Sequence, residues 1–369
     1  MLGKKDVDDL LRATKILGTG GGGEMKWARP LVEEVYAKQK QFKLLDPKDV
    51  PDEEIVIIVG AVGGGVSEEI KKRLVDLPRI KERPELIAKK VLTEHIKKEP
   101  YAYLASELGA GNTIIPMYVA AMTDSFTVDA DCCGRAKPEI SISTTNVQGL
   151  PVTPLAIVSP FGDLMILKEA IDDSRAEDIC RYMAMVSGGI CSVARCPTKG
   201  KDLREAVVPR SISEAIGIGK HIREAAEKGE SPTEALIKAS NGYELFHGKV
   251  KRFERKEEGA FVRGNIKITG IENYKQHELN IWFKNEFLIS WKDETPFVTC
   301  PDSLYVVDAY SGEGLSCWGE DFQKKREVMV IGRKAHELWR TEKGLQLFSP
   351  RHFGFKIEYT PIERIARKV

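Results

Sequence analysis

A chain of 369 residues with 42% hydrophobic and 30% charged residues is long enough for two domains of ordinary size and too apolar for a disordered protein. Its 56 basic and 55 acidic residues leave a formal charge of +1, which gives no electrostatic footprint for nucleic acid or an anionic membrane. No window approaches the length of about 18 apolar residues that a membrane span needs, and no apolar stretch follows the charged start, so a cytoplasmic protein acting on a small molecule is expected.

The first 240 residues or so alternate helical and strand patterns. Asp6 is placed to cap a helix running to about Leu17, with Val7, Leu10, Leu11, Ala13 and Ile16 on its apolar face. The chain then enters Gly18-Thr19-Gly20-Gly21-Gly22-Gly23, and a second helical pattern runs from Glu24 to Lys38. Glu54 to Val59 is a continuous apolar run of strand length, followed by the glycine-rich Gly60 to Gly65 and a helix start at Ser67. Pro84 to Lys98 reads as helix, Tyr101 to Glu107 as extended, and Thr113 to Met122 as helix after Gly109-Ala110-Gly111-Asn112. These units of strand, glycine loop and helix predict an α/β layer with a partly parallel sheet. Ile140 to Leu167 is strand-rich, while Asp173 to Val186 and Ser211 to Lys228 return to helical period. Gly217 and Gly219 in the last of these weaken an isolated helix by about 1 kcal/mol each relative to alanine, and close packing is the expected reason.

From Tyr243 onward the pattern becomes short alternating strands such as Phe261 to Ile268 and Glu278 to Phe283. A β-rich second domain follows, and the expected division is 1–242 and 243–369. With no low-complexity linker, the two domains should pack together and share a cleft. Seven scattered cysteines and six histidines form no recognised zinc spacing and no disulfide scaffold.

The densest polar segment is Val128-Asp129-Ala130-Asp131-Cys132-Cys133-Gly134-Arg135-Ala136-Lys137-Pro138-Glu139. On a strand, Asp129, Asp131 and Cys133 share one side and Cys132 faces the other. Asp129, Asp131, Cys132 and Cys133 are candidate ligands for a divalent metal, and two small buried thiols beside a salt-bridged strand end are the alternative. The run Gly20, Gly21, Gly22 and Gly23 offers backbone N–H groups to an anionic or polar ligand, and Gly64 belongs to a second loop of this kind. The spacing around Gly60 to Gly65 departs from the dinucleotide fingerprint, so neither nicotinamide nor flavin is expected. On a parallel sheet these loops and Gly109 to Gly111 would converge on one edge. Asn285-Glu286, Pro301-Asp302 and Pro350-Arg351-His352-Phe353-Gly354 read as turn chemistry or as suppliers of acid/base groups.

Taken in order, Leu17 to Gly23, Glu107 to Asn112 with Pro116, Asp129 to Glu139, Asn285-Glu286, Pro301-Asp302 and Pro350 to Gly354 resemble the S-methyl-thiohydantoin desulfurase-like family over almost the whole chain. The resemblance implies an α/β N-terminal domain, a β-rich C-terminal domain, and hydrolysis of an S-methylated thiohydantoin at the carbon bearing sulfur. On that basis Asp129, Asp131, Glu139, Glu286, Asp302 and His352 are the candidate catalytic groups. Gly20 to Gly23, Gly64, Asn112, Arg135, Asn285 and Arg351 are the candidate substrate-binding groups. A non-catalytic small-molecule or anion-binding protein assisting a hydantoinase-type partner is the rival expectation. A symmetric homo-oligomer is the expected assembly, because soluble enzymes commonly form one.

Overall fold

The structure, a computed structural model, describes residues 1–366. The first sheet is built from β1 (Leu44–Leu45), β2 (Ile55–Gly63), β3 (Ala102–Ala105), β4 (Phe126–Asp131), β5 (Leu155–Val158), β6 (Leu164–Leu167), β7 (Ile190–Lys199) and β8 (Val208–Pro209). Their order is β1-β4-β3-β2-β7-β5-β6, with β8 beside β4. β1, β4, β3 and β2 run parallel, and β7, β5 and β6 extend the sheet antiparallel. In β2, Ile57 and Val59 enter one core while Val56 and Ile58 enter another, as a strand covered on both faces requires.

The helices of this half are α1 (Lys4–Leu17), α2 (Met25–Ala37), α3 (Glu68–Leu74), α4 (Pro84–Ile96), α5 (Ala110–Met122), α6 (Thr144–Val147), α7 (Asp173–Val186), α8 (Gly200–Leu203), α9 (Ser211–Lys228) and α10 (Pro232–Ser240). α1, α2, α4, α5 and α9 cover one face of the sheet, and α7 covers part of the other. α1 starts at Lys4, two residues before the expected cap, because Gly3 is the cap and Asp6 reaches back to accept its N–H at 2.8 Å. Gly219 lets α9 cross α1 closely: a Cβ there would sit 1.9 Å from the Asp9 carbonyl. One turn on, Arg223 Nε donates to the Asp9 carboxylate at 2.8 Å.

The glycine-rich stretch after Val59 is not the loop that its composition suggests. Gly60 to Gly63 continue β2, since β7 pairs with them from Val193 to Ile190. β7 itself went unassigned from the sequence, and it is the strand at which the sheet changes from parallel to antiparallel.

The second domain is a single antiparallel sheet of β9 (Tyr243–Glu258), β10 (Phe261–Gly270), β11 (Glu278–Lys284), β12 (Glu286–Lys292), β13 (Thr295–Thr299), β14 (Ser303–Asp308) and β15 (Glu327–Arg333). Its order is β13-β12-β11-β10-β9-β15-β14, and it curls so that β12 and β13 approach β14. Alternate side chains such as Ile266, Ile268, Leu279, Ile281 and Phe283 fill its core. The expected pairing of a mixed α/β domain with a β-rich domain is therefore present. Among the described residues no helix is long and apolar enough to cross a membrane.

Arg135 joins the two domains. Its side chain is 1% exposed, and it donates to the carbonyls of Asp302 (2.8 Å), Phe287 (2.6 Å) and Ala136 (3.1 Å) and to the Thr19 hydroxyl (2.9 Å). Nearby, Phe287 N donates to Thr19 O at 2.8 Å and Trp339 Nε1 to Cys133 O at 2.8 Å. Replacing Arg135 with methionine strands buried acceptors in both domains, each costing about 1–3 kcal/mol. Arg135→Met should therefore lower unfolding stability by at least about 3 kcal/mol, measured by urea denaturation; an unchanged midpoint would remove Arg135 from this role.

Candidate active site

The parallel strands deliver their carboxyl ends to one place. Gly63 ends β2, Ser106 and Glu107 follow β3, Lys137 and Glu139 follow β4, and α5 begins beside them; all line a cleft of about 300 Å³. This is where an open α/β sheet presents ligand sites, and the volume falls at the low end of small-molecule pockets, roughly 300–1,000 Å³. Asn285, Glu286 and Trp318 close it from the second domain.

Close backbone contact holds the rim together. Gly22 lies in the left-handed region at φ +72, and a Cβ on Gly109 would fall 2.4 Å from the Gly22 Cα. Gly22 O accepts from Gly111 N and Asn112 N at 3.1 Å each, which uses the first free amides of α5. The Gly22 N–H is directed at Glu286 Oε1 at 3.4 Å. So the glycine run does make an amide-lined hollow, and the group beside it is one of the protein's own carboxyls.

Two buried carboxyls and a buried amine form the polar floor. Glu107 accepts from Asn112 Nδ2 at 2.6 Å and from Lys137 N at 2.9 Å. Glu286 has only the long bond from Gly22, and its Oε2 has no partner. Burial raises both carboxyls above the usual range, with Lys137 opposing the rise at Glu107 and the nearby Glu107 adding to it at Glu286. Glu107 is the better compensated of the two, and Glu286 is the one raised well above the usual carboxylate range. The Lys137 Nζ is buried without a hydrogen-bond partner. Burial first and the Arg195 guanidinium second push its ammonium form down, towards the neutral amine. Arg195 is itself fully buried and donates to Ser106 Oγ at 2.9 Å.

Of the residues singled out from the sequence, Gly22, Gly23, Gly64, Asn112, Glu139, Asn285 and Glu286 line this cleft. Gly20 and Gly21 lie behind it, where a Cβ would strike the Phe287 ring at 2.4 Å and Glu286 Oε1 at 2.2 Å respectively. Asn112 Oδ1 accepts from Ala61 N at 2.8 Å, and Asn285 Oδ1 from Val262 N at 2.8 Å, so both amides are locked in place. Glu139 is paired with Lys284, and His352 Nε2 donates to it at 2.8 Å. Burial alone would raise this carboxyl, but His352 and Lys284 hold it down at about 2. An ionised Glu139 is suited to fixing His352 and Lys284 at the rim and unsuited to giving a proton.

The other candidates lie elsewhere. Asp129 accepts from Ser213 N at 2.9 Å in the first turn of α9, a place where helix amides favour an anion. Asp131 accepts from Cys133 N at 2.8 Å and Gly134 N at 2.7 Å, closing the turn after β4. Asp302 gathers the C-terminal segment by accepting from Ala335 N (2.7 Å), Ile362 N (2.9 Å), Tyr359 Oη (3.0 Å) and Arg340 Nη2 (3.0 Å). Arg351 is exposed and pairs with Glu358. Arg135 is spent on the domain junction. Cys132 and Cys133 enter two separate cores, and burial pushes the Cys132 thiol up to about 12. The set Asp129, Asp131, Cys132 and Cys133 thus does not converge as metal ligands, and among the described residues no three His, Cys, Asp or Glu side chains do. Lys137 and Glu107 were missed although both stand inside quoted segments: a lysine and a glutamate beside glycines look like solvated charges until burial is known.

Two family models match the chain: "S-Me-THD-like, N-terminal domain" over residues 5–169 and "S-Me-THD-like, C-terminal domain" over residues 171–362. No curated protein matches it. A crystal structure of a protein from Chromobacterium violaceum is similar in fold, with a TM-score of 0.78 and 20% identity over 98% of this chain and 99% of that one.

Asp131 offers a test of its structural role. Burial raises its carboxyl to about 6 against the bonds from Gly134 and Cys133. A carboxyl raised on folding contributes stability that is fully present below its unfolded pKa, near 4, and is lost as pH rises through about 6. Relative to Asp131→Asn, the wild type should therefore lose about 3 kcal/mol between pH 4 and pH 7. Denaturant midpoints at the two pH values measure this, and parallel curves would refute it.

Proposed function

Since the chain belongs to the S-Me-THD-like family, we propose that it is a hydrolase of a small cyclic amide, ureide or thio-analogue of the hydantoin or S-methyl-thiohydantoin type, working in this interdomain cleft. The observation that carries the proposal is that Glu286 and Lys137, both buried, line the same cleft. Burial moves a carboxyl up and an amine down, which brings an acid and a base in one pocket towards the proton affinities that acid/base catalysis uses.

For an S-methyl-thiohydantoin the steps balance without another reactant. Water oxygen bonds to the ring carbon bearing sulfur, Lys137 Nζ takes one of its protons, and the Glu286 carboxyl protonates the ring nitrogen. The carbon–sulfur bond then breaks. Lys137 returns its proton to the departing methanethiolate, and the new hydroxyl gives its proton to Glu286 as the carbonyl forms. Methanethiol and the hydantoin leave, with both residues in their starting states. Glu107 and Asn112 hold the floor of the site: the Asn112 amide is spent on Glu107 and Ala61, and the remaining lone pairs of Glu107 suit an N–H of the ring.

The test is methanethiol release from S-methyl-thiohydantoin, followed with a thiol reagent. Glu286→Gln and Lys137→Met should each reduce kcat by about 10²–10⁴-fold. The rate should rise with pH as Lys137 loses its proton and fall as Glu286 loses its own. Ring binding with no methanethiol release and no ring hydrolysis would overturn the proposal in favour of a non-catalytic binding protein.

A further inference from the structure

Two tryptophans stand where the polar floor of the cleft meets solvent. Trp27, in the first turn of α2, is 39% exposed, and it meets the half-buried Trp318 edge to face with ring centroids 6.0 Å apart. Both adjoin the proposed acid. Trp318 Nε1 donates at 3.3 Å to the carbonyl of Asn285, the residue before Glu286. Trp27 lies against Gly23, where a Cβ would touch its ring at 3.5 Å, and Gly23 follows the residue whose amide is directed at Glu286.

Leu31, one turn further along α2, and Ile115, on α5, continue this apolar wall within the cleft. The cleft is therefore two-sided: Lys137, Glu107 and Asn112 supply its polar floor, and the indoles and aliphatic chains supply a wall with no part in the proton transfers. A single exposed aromatic needs no explanation, but two in contact at the mouth of a site leave apolar surface in water that a ligand can cover. An indole pair also favours an aromatic occupant, through edge and face contacts that an aliphatic group lacks.

We propose that Trp27 and Trp318 form a subsite for a large apolar, preferentially aromatic, substituent carried by the ring. This rests on the hydrolase proposal and narrows its substrate class to rings derived from an aromatic or bulky aliphatic α-amino acid. The occupant seals the cleft mouth beside Glu286 and keeps bulk water away from the acid.

The experiment compares hydantoin, 5-methylhydantoin and 5-benzylhydantoin by calorimetric titration of the wild type, Trp27→Ala and Trp318→Ala. Methanethiol release from the matching S-methyl-thiohydantoins is measured in parallel. The benzyl compound should bind at least about tenfold more tightly than the unsubstituted ring, and either substitution should collapse that difference. The ligand series on the wild type decides the matter even where a variant folds poorly. Equal affinity across the series overturns the subsite and leaves the hydrolase proposal standing. A benzyl preference that survives in both folded variants also overturns it. A benzyl preference without methanethiol release supports the subsite while removing the chemistry, and failure of every ring to bind overturns both.

Discussion

A guanidinium sealed between two domains, with no carboxylate among the described residues to pair with it, is the constraint on which the rest of the structure depends. The interior tolerates Arg135 because backbone carbonyls from both domains replace its water, and a cation taken out of water without such partners costs several kcal/mol. Geometry follows from that demand. The Phe287 and Asp302 carbonyls must sit around one planar fork, which sets the second sheet against the loop at Thr19 and carries Asn285 and Glu286 to the ends of the parallel strands. The acid is thus positioned by a residue that never faces the cleft.

Environment decides what each carboxyl does. Asp131 and Glu286 are buried and Glu139 is partly so, yet they differ in proton affinity because their neighbours differ. Two cationic side chains hold Glu139 ionised at about 2; two backbone amides only partly offset burial at Asp131, which rests near 6; and Glu286, with one long amide contact and a second carboxyl nearby, is raised well above its ordinary value. The charge of the donors separates Glu139 from Asp131, and their scarcity sets Glu286 apart.

Much of the architecture was legible because it rests on periodicity. The apolar run at Ile55 to Val59 and the alternation after Tyr243 each specify an element by pattern, and the glycine loops marked the cleft because close backbone approach requires glycine. β7 was hidden by its own polar content: Arg195 and Thr198 interrupt the apolar pattern, yet both are buried. Asp129 and Asp131 drew attention for sound chemical reasons, but capping a helix start and closing a turn call on the same oxygen atoms as catalysis. Nothing in residue type separates those uses. Only the direction of each side chain does, and that direction is set by α9 and the turn at Gly134, far along the chain or beyond the strand.

The main-chain bond from Phe287 N to Thr19 O, next to Glu286 in the chain, has a bearing on how such a protein can change over generations. The amine and one carboxyl belong to the first half of the chain, the other carboxyl to the second, and at the seam between the halves backbone meets backbone. Neither half is a self-sufficient module that recombination could trade for a counterpart of different ancestry, because the incoming piece would have to reproduce a main-chain fit as well as a set of side chains. A main-chain fit thus ties the two halves to each other, whereas the aromatic rim is made of side chains.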